Sequence, residues 1–77
     1  MKYSKKIIQI LSEVLIIPVK NLSSETNSEN EPKWDSIAHV RVILEIEKKF
    51  KIKIDTNTFE ELRSVKNINK YLENKAI

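Results

Sequence analysis

Residues 34–50 contain the clearest structural pattern in the chain and read WDSIAHVRVILEIEKKF. Apolar side chains recur there at spacings of three and four, which predicts an amphipathic helix from about Ser36 to Phe50. Asp35 stands directly before this helix as its N-cap, because a carboxylate can accept a backbone amide of the first turn. The face that is expected to pack on the core contains Ile37, Val40, Ile43, Leu44, Ile46, Glu47 and Phe50.

Helical spacing also occurs on either side of this segment. The apolar residues between positions 7 and 15 predict a first helix over residues 4–16, with Ser4 as its N-cap and Pro18 as its stop. A last helix is predicted from Val65 to about Asn74, with Ser64 as its N-cap. The inward face of this last helix is expected to contain Val65, Ile68, Tyr71 and Leu72.

The segments between these helices are of two kinds. Residues 19–33 are polar and rich in turn formers, so they are expected to form a long loop that Leu22 attaches to the core. Residues 50–54 alternate like a strand, but no second strand is predicted to pair with them, which favours an extended connector that docks on the core. A short third helix is predicted over residues 59–62, capped by Thr58, with Glu61 completing a capping box.

Together these elements predict an all-α fold. It is a four-helix bundle with a short third helix and a long loop between helices 1 and 2. A chain of 77 residues is long enough for one domain at most, so residues 1–77 are expected to form a single domain. A domain of this size buries only about 60–65% of its unfolded surface, so its stability is expected to be small.

The composition excludes several classes of protein. The chain has no cysteine, no glycine and one histidine, so thiolate zinc sites, disulfides, phosphate-binding glycine loops and multi-histidine metal sites are all ruled out. The longest uncharged apolar run covers residues 14–19, which is far too short to cross a membrane. No signal peptide is visible, so the expected location is the cytoplasm.

Charge is distributed unevenly along the chain, although the net charge is only +3. Residues 21–35 contain four acidic side chains and one basic one, whereas residues 41–53 contain five basic and two acidic ones. A small basic helical domain that binds nucleic acid is therefore one alternative. Its weakness is that Glu31 and Asp35 lie where a base-reading helix needs donors. An unmodified adaptor that docks on a partner's helix is another alternative.

The run Trp34-Asp35-Ser36-Ile37, at the start of a helix that follows a long acidic loop, resembles the acyl carrier protein family, or more broadly the phosphopantetheine-carrier domains. That family carries an Asp-Ser-Leu signature at the start of its second helix, which here reads Asp-Ser-Ile. The similarity continues to Ile54, and residues 64–72 look like the last helix of the family. The resemblance covers nearly the whole chain.

The resemblance implies a chemistry for this helix terminus. Ser36 would be esterified by 4′-phosphopantetheine, delivered from coenzyme A by a magnesium-dependent phosphopantetheinyl transferase, and Asp35 would position the metal of that transferase and the serine. A phosphodiester on Ser36 would lie near unpaired amides at the positive end of the helix dipole, which favours an anion. The alternative is a purely structural role, in which Asp35 and Ser36 are only capping residues.

By the same resemblance the protein is a carrier and not an enzyme. It would hold acyl or aminoacyl intermediates as thioesters for enzymes that load, transfer or condense them, for example in fatty-acid or other lipid metabolism. It is expected to have no catalytic residue and no metal site of its own, to bind no nucleic acid or membrane, and to be a monomer. A core that opens could shelter the acyl chain.

Five residues beside the serine are candidates for contact with partner enzymes: Trp34, Ile37, His39, Val40 and Arg41. The favoured interpretation of Trp34 is instead that it packs over the end of the helix and holds the loop. His39 could hydrogen-bond the phosphate when protonated, or simply lie at the edge of the helix face.

Two positions depart from the family pattern, which places acidic residues along the exposed face of this helix. Ala38 is neutral and Arg41 is cationic. Because complementary charge guides the encounter of partners, this departure favours a carrier of a dedicated pathway over the housekeeping carrier of fatty-acid synthesis.

Overall fold

The computed structural model describes residues 2–75 and is built from helices. The elements are α1 (Ser4–Leu15), a 3-10 turn (Val19–Asn21), α2 (Ser36–Phe50), α3 (Thr56–Phe59) and α4 (Val65–Asn74). Within that range there is no β-strand, only an isolated bridge between Asn27 and Ser64. The predicted all-α bundle, with a short third helix and a long loop between the first two helices, is confirmed.

Helix α1 is the centre of the bundle, because it packs against both α2 and α4. The core is formed by apolar side chains from these three helices, joined by residues of the connecting segments. Its main helical members are Ile7, Ile10, Leu11, Leu15, Val42, Ile43, Ile46, Val65, Ile68 and Leu72. The connector after α2 docks on this core through the half-buried Phe50, Ile52 and Ile54, as predicted.

Both ends of α1 differ from the prediction by one residue. The N-cap position is Tyr3, not Ser4. Tyr3 is buried, and its backbone N–H donates to Asn69 Oδ1 at 2.7 Å, so contact with α4 sets the start of α1. At the other end Ile16 adopts a left-handed conformation (φ 56°), which ends the helix at Leu15. The capping rule predicted the wrong residue because a tertiary contact determines this terminus.

The long loop between α1 and α2 is attached to the rest of the molecule at several points. Leu22 is buried, as predicted, and Thr26, four residues later, is buried as well. The Thr26 carbonyl accepts the Val65 amide at 3.0 Å, and the Ser28 amide donates to the Arg63 carbonyl at 2.9 Å. The loop therefore crosses to the start of α4 before it returns to α2.

Helix α2 has the predicted bounds, Ser36–Phe50, but the predicted inward face is wrong in part. Ile37, Val40 and Leu44 are 73%, 46% and 53% exposed, whereas the buried positions are His39, Val42, Ile43 and Ile46. Apolar side chains occupy most of the circumference of α2, so two of its faces matched the spacing expected of a buried face. The apolar pattern favoured Val40 over His39 as the inward-facing residue. The structure instead buries His39, because both of its ring nitrogens have hydrogen-bond partners.

The short helix α3 lies three residues before its predicted position. It is Thr56–Phe59, and its N-cap is Asp55, whose side chain accepts the Thr58 amide at 2.8 Å. The capping box predicted from Thr58 and Glu61 is therefore wrong. Asp is at least as good an N-cap as Thr, so the earlier cap is available. The last helix begins as predicted, with Ser64 Oγ accepting the Asn67 amide at 3.0 Å.

Candidate functional site

The N-terminus of α2 is organised by Asp35. Its side chain accepts the Ala38 amide at 2.8 Å, and its backbone carbonyl accepts the His39 amide at 2.8 Å. Asp35 itself has extended backbone geometry, so the chain enters the helix abruptly at Ser36. The predicted N-cap is confirmed, and the cap fixes where the first helical turn begins.

Ser36 is the first residue of α2, and it is exposed. Within residues 2–75 its hydroxyl forms no hydrogen bond, and the backbone amides of Ser36 and Ile37 have no acceptor there either. An anion attached to the Ser36 oxygen would therefore lie beside two unpaired donors at the positive end of the helix dipole. These features fit a phosphodiester at Ser36.

Trp34 lies on the inner side of this helix terminus and is 1% exposed. Its indole Nε1–H donates to His39 Nδ1 at 2.9 Å. Because Nδ1 accepts, the proton of a neutral imidazole is on Nε2, which then donates to the Phe59 carbonyl at 2.8 Å. We call this arrangement the Trp34–His39–Phe59 chain; it connects the segment before Ser36 to the end of α3.

The Trp34–His39–Phe59 chain is inconsistent with two of the roles expected from the sequence. Trp34 and His39 are both buried, so neither side chain is available at the surface for contact with a partner. His39 also has no ring nitrogen to offer a phosphate, because Trp34 and Phe59 occupy both. The interpretation in which Trp34 packs over the helix end is the one that the structure supports. Sequence gave no sign of the histidine's role, because its partner Phe59 is distant along the chain.

Burial lowers the pKa of His39 below its ordinary value of about 6.5, although its hydrogen bond to the Phe59 carbonyl opposes the shift. The nearby Arg63 lowers this pKa as well, and Glu60 raises it. The neutral imidazole is thus the form that the fold requires. Protonation would place a donor at Nδ1, where the indole N–H already points, and would break the Trp34–His39–Phe59 chain.

A pH dependence of stability follows from this shift. Below about pH 6.5 the unfolded chain binds a proton at His39 that the folded chain does not, so the unfolding free energy falls with falling pH until the lowered folded pKa is reached. The slope is at most about 1.4 kcal/mol per pH unit. Urea unfolding between pH 7 and pH 5 measures it, with His39→Asn as the variant that lacks the titrating group.

The variant is expected to be less stable but to have a flatter pH profile in that range. Three carboxylates have lowered pKa values, Asp55 through its hydrogen bonds with Thr58, Glu60 through Arg63 and Glu73 through Asn69, and they lose their contribution to stability only in more acidic solution. Equal slopes for the two proteins between pH 6.5 and pH 5 would show that His39 does not titrate in this way.

The outer side of α2 carries an exposed apolar surface that was predicted only in part. It consists of Ile37, Val40 and Leu44, and we call it the α2 patch. Arg41 is exposed on the same helix, between two members of the patch in sequence. The predicted partner residues Ile37, Val40 and Arg41 are thus at the surface. Leu44 was missed because its spacing is equally typical of a core residue.

A shallow groove of about 240 Å³ lies between α1 and the start of α2. We call it the α1–α2 groove. It is lined by Val14, Lys33, Asp35, Ile37, Ala38 and Arg41. Both sequence neighbours of Ser36 are among these residues. No sequence pattern indicated this groove, because Val14 and Lys33 come to α2 only through the packing of α1 and the return of the loop.

Within residues 2–75, no group of three or more histidine, cysteine, aspartate or glutamate side chains could hold a metal ion. None of the described helices is long and apolar enough to cross a membrane.

The helical bundle and the exposed serine at the first position of α2 are compatible with a carrier domain for a phosphopantetheine arm. The sequence model of the family described as "Phosphopantetheine attachment site" matches residues 5–72, and the chain belongs to that family. The chain is also similar to a protein named acyl carrier protein from Phytoplasma mali (strain AT), with 30% identity over 69 residues. That alignment covers 90% of this chain and 82% of the relative. The cofactor of the family is a covalently attached 4′-phosphopantetheine.

Proposed function

We propose that residues 1–77 form one carrier domain that tethers acyl or aminoacyl intermediates as thioesters on a 4′-phosphopantetheine arm attached to Ser36. The observation that supports this most is the exposed Ser36 hydroxyl at the start of α2, beside two backbone amides without acceptors in the described residues. The arm supplies the thiol, which a chain without cysteine lacks. The protein holds and presents the cargo, and its partners are a phosphopantetheinyl transferase and enzymes that load, transfer or condense acyl groups.

The chain's own residues have separate tasks in this proposal. Ser36 provides the oxygen that attacks the β-phosphate of coenzyme A, with 3′,5′-ADP as the leaving group. Asp35 holds the helix terminus in place and orients the serine. The Trp34–His39–Phe59 chain holds the residue before Asp35 against α3 and limits movement of this terminus. The catalytic groups belong to the partners, so the protein is not itself an enzyme.

Intact mass measures the proposed modification. The chain is co-expressed with a broad-specificity phosphopantetheinyl transferase, and a gain of one phosphopantetheine per chain is expected. Fragmentation of the modified peptide is expected to locate the adduct on Ser36, which is the sole serine between residues 29 and 63. Absence of any mass gain would contradict the proposal.

A second prediction separates the two tasks proposed for Asp35. Asp35→Asn is expected to keep the cap, because Asn and Asp are similar N-caps, and to change the unfolding free energy by less than about 0.5 kcal/mol. Loading by the transferase is expected to slow by about 10–100-fold, because an amide is a poor substitute for a carboxylate beside a metal. Initial rates of loading and urea unfolding give the two readouts.

Asp35→Ala is the matched comparison, since it removes both the carboxylate and the cap. It is expected to load as slowly as Asp35→Asn and to lose about 1 kcal/mol of stability in addition. If Asp35→Asn were loaded at the wild-type rate, Asp35 would be a capping residue alone.

We further propose that the partners belong to a dedicated pathway and not to housekeeping fatty-acid synthesis. The support is the charge of the α2 surface, where Arg41 is exposed next to the apolar residues Ile37 and Val40. By the family resemblance, housekeeping partners present basic patches. A cation at the contact repels such a patch, which lowers the association rate and suppresses binding to the wrong partner.

Arg41→Glu tests this proposal directly. A housekeeping condensing enzyme is expected to use the wild-type chain poorly, and the variant is expected to raise its kcat/KM by roughly tenfold at low salt. Lys70→Glu makes the same change of charge on the exposed side of α4 and is expected to have little effect. Wild-type chain that serves the housekeeping enzyme as well as that enzyme's own carrier would rule out the dedicated pathway.

A further inference from the structure

The α1–α2 groove begins next to the proposed attachment residue. Asp35 and Ile37, the two sequence neighbours of Ser36, both line it. A group attached at Ser36 therefore starts at the edge of a preformed surface depression, on the side of α2 that faces the end of α1. Its apolar wall is supplied by Val14 of α1 together with Ala38 of α2.

The groove carries a charge that suits a phosphodiester. Lys33 and Arg41 are its two cations, and both residues are exposed. Among the described residues neither side chain takes part in an ion pair, whereas the one acidic side chain in the groove, Asp35, already accepts the Ala38 amide. The groove is thus net positive, with cations available for a mobile anion.

The opposite flank of Ser36 is filled. There the Trp34–His39–Phe59 chain closes the space between α2 and α3, and the His39 and Phe59 rings have their centroids 4.7 Å apart. His39 has no exposed surface at all. An arm that turned inward on this side would have to separate one buried and one part-buried hydrogen bond, which is costly when the groups have no other partners.

We infer that the phosphopantetheine arm rests outside the bundle in the α1–α2 groove, an inference that builds on the function proposed above. Lys33 and Arg41 attract its phosphodiester, and Val14 and Ala38 contact the geminal dimethyl part of the arm. The arm at rest covers Ile37 and the Arg41 side chain, so a partner that binds the α2 patch displaces the arm and receives the thiol.

Nuclear magnetic resonance of the holo protein, with an isotope-labelled pantetheine arm, tests the inference. Nuclear Overhauser effects are expected from the geminal methyls of the arm to the methyls of Val14 and Ala38. Attachment of the arm is also expected to shift the Val14 resonances, although Val14 is far from Ser36 in sequence. The arm amides are expected to have restricted motion on the nanosecond scale in comparison with a free chain.

The variant for this experiment is Lys33→Ala combined with Arg41→Ala, two exposed positions whose loss leaves the core intact. It is expected to lose the contacts with Val14 and to release the arm to flexible-chain motion. Lys70→Ala, which removes a cation on α4, is expected to keep them. An arm that is mobile in the wild-type holo protein, with shifts confined to residues 35–38, would refute the resting site while leaving the carrier function intact. A chain that never accepts the arm would refute both.

Discussion

Ser36→Ala is expected to abolish attachment of phosphopantetheine completely. The hydroxyl oxygen of Ser36 is the atom that forms the new phosphoester bond, and no neighbouring group can replace it. The variant is expected to fold normally, because the Ser36 side chain is exposed and makes no hydrogen bond within residues 2–75. Its unfolding free energy is expected to lie within about 0.5 kcal/mol of the wild-type value. Intact mass after co-expression with the transferase gives the first readout, and urea unfolding gives the second.

Ser64→Ala is the matched control for Ser36→Ala. Ser64 also stands at the start of a helix, but as an N-cap whose Oγ accepts the Asn67 amide. Its replacement is expected to lower stability by about 1 kcal/mol and to leave loading unchanged. Replacement of Ser36 is thus expected to affect modification but not stability, and replacement of Ser64 is expected to affect stability but not modification. An adduct that persisted in Ser36→Ala would place the attachment elsewhere.

Trp34→Ala is expected to lower the unfolding free energy by about 3–5 kcal/mol, which is typical of removing a large buried aromatic side chain. Trp34 is among the largest fully buried side chains of the protein, and it holds the end of the long loop against α2. Globular proteins have an unfolding free energy of about 0.05–0.15 kcal/mol per residue, so a domain of this length can lose little stability before it unfolds. The variant is therefore expected to be largely unfolded in moderate urea at 25 °C.

Trp34→Phe separates packing from hydrogen bonding at the same position. It keeps most of the ring but removes the N–H that His39 Nδ1 accepts, which leaves a buried acceptor without a partner. A loss of about 1–3 kcal/mol is expected, smaller than that of Trp34→Ala. Circular dichroism during urea unfolding measures both variants. A loss of less than 1 kcal/mol in Trp34→Ala would mean that Trp34 does not secure this end of the molecule.

Sequence periodicity and capping preferences were sufficient for the order of the helices and for the start of α2 at Asp35 and Ser36. Those features depend on local rules, namely helical spacing, the preference for Asp and Ser at helix starts, and the stop at Pro18. The bounds of α2 and α4 followed for the same reason. The spacing does not favour an attachment site over an ordinary cap at the Asp-Ser pair; only the resemblance to a carrier family favours it.

What could not be predicted depends on contacts between distant parts of the chain. The inward face of α2 was ambiguous, because Val40 and Val42 are equally apolar and the packing of α2 against α1 decides between them. The burial of His39 required two partners, Trp34 and Phe59, that satisfy its ring nitrogens. The start of α1 at Tyr3 depends on Asn69, a residue of α4.

The hydrogen bond from Trp34 to His39 gives the protein a built-in optical reporter. Trp34 is the single tryptophan of the chain, and it stands two residues before Ser36. An imidazolium beside an indole quenches its fluorescence, so emission from this one residue will report the ionisation of the histidine without an added dye.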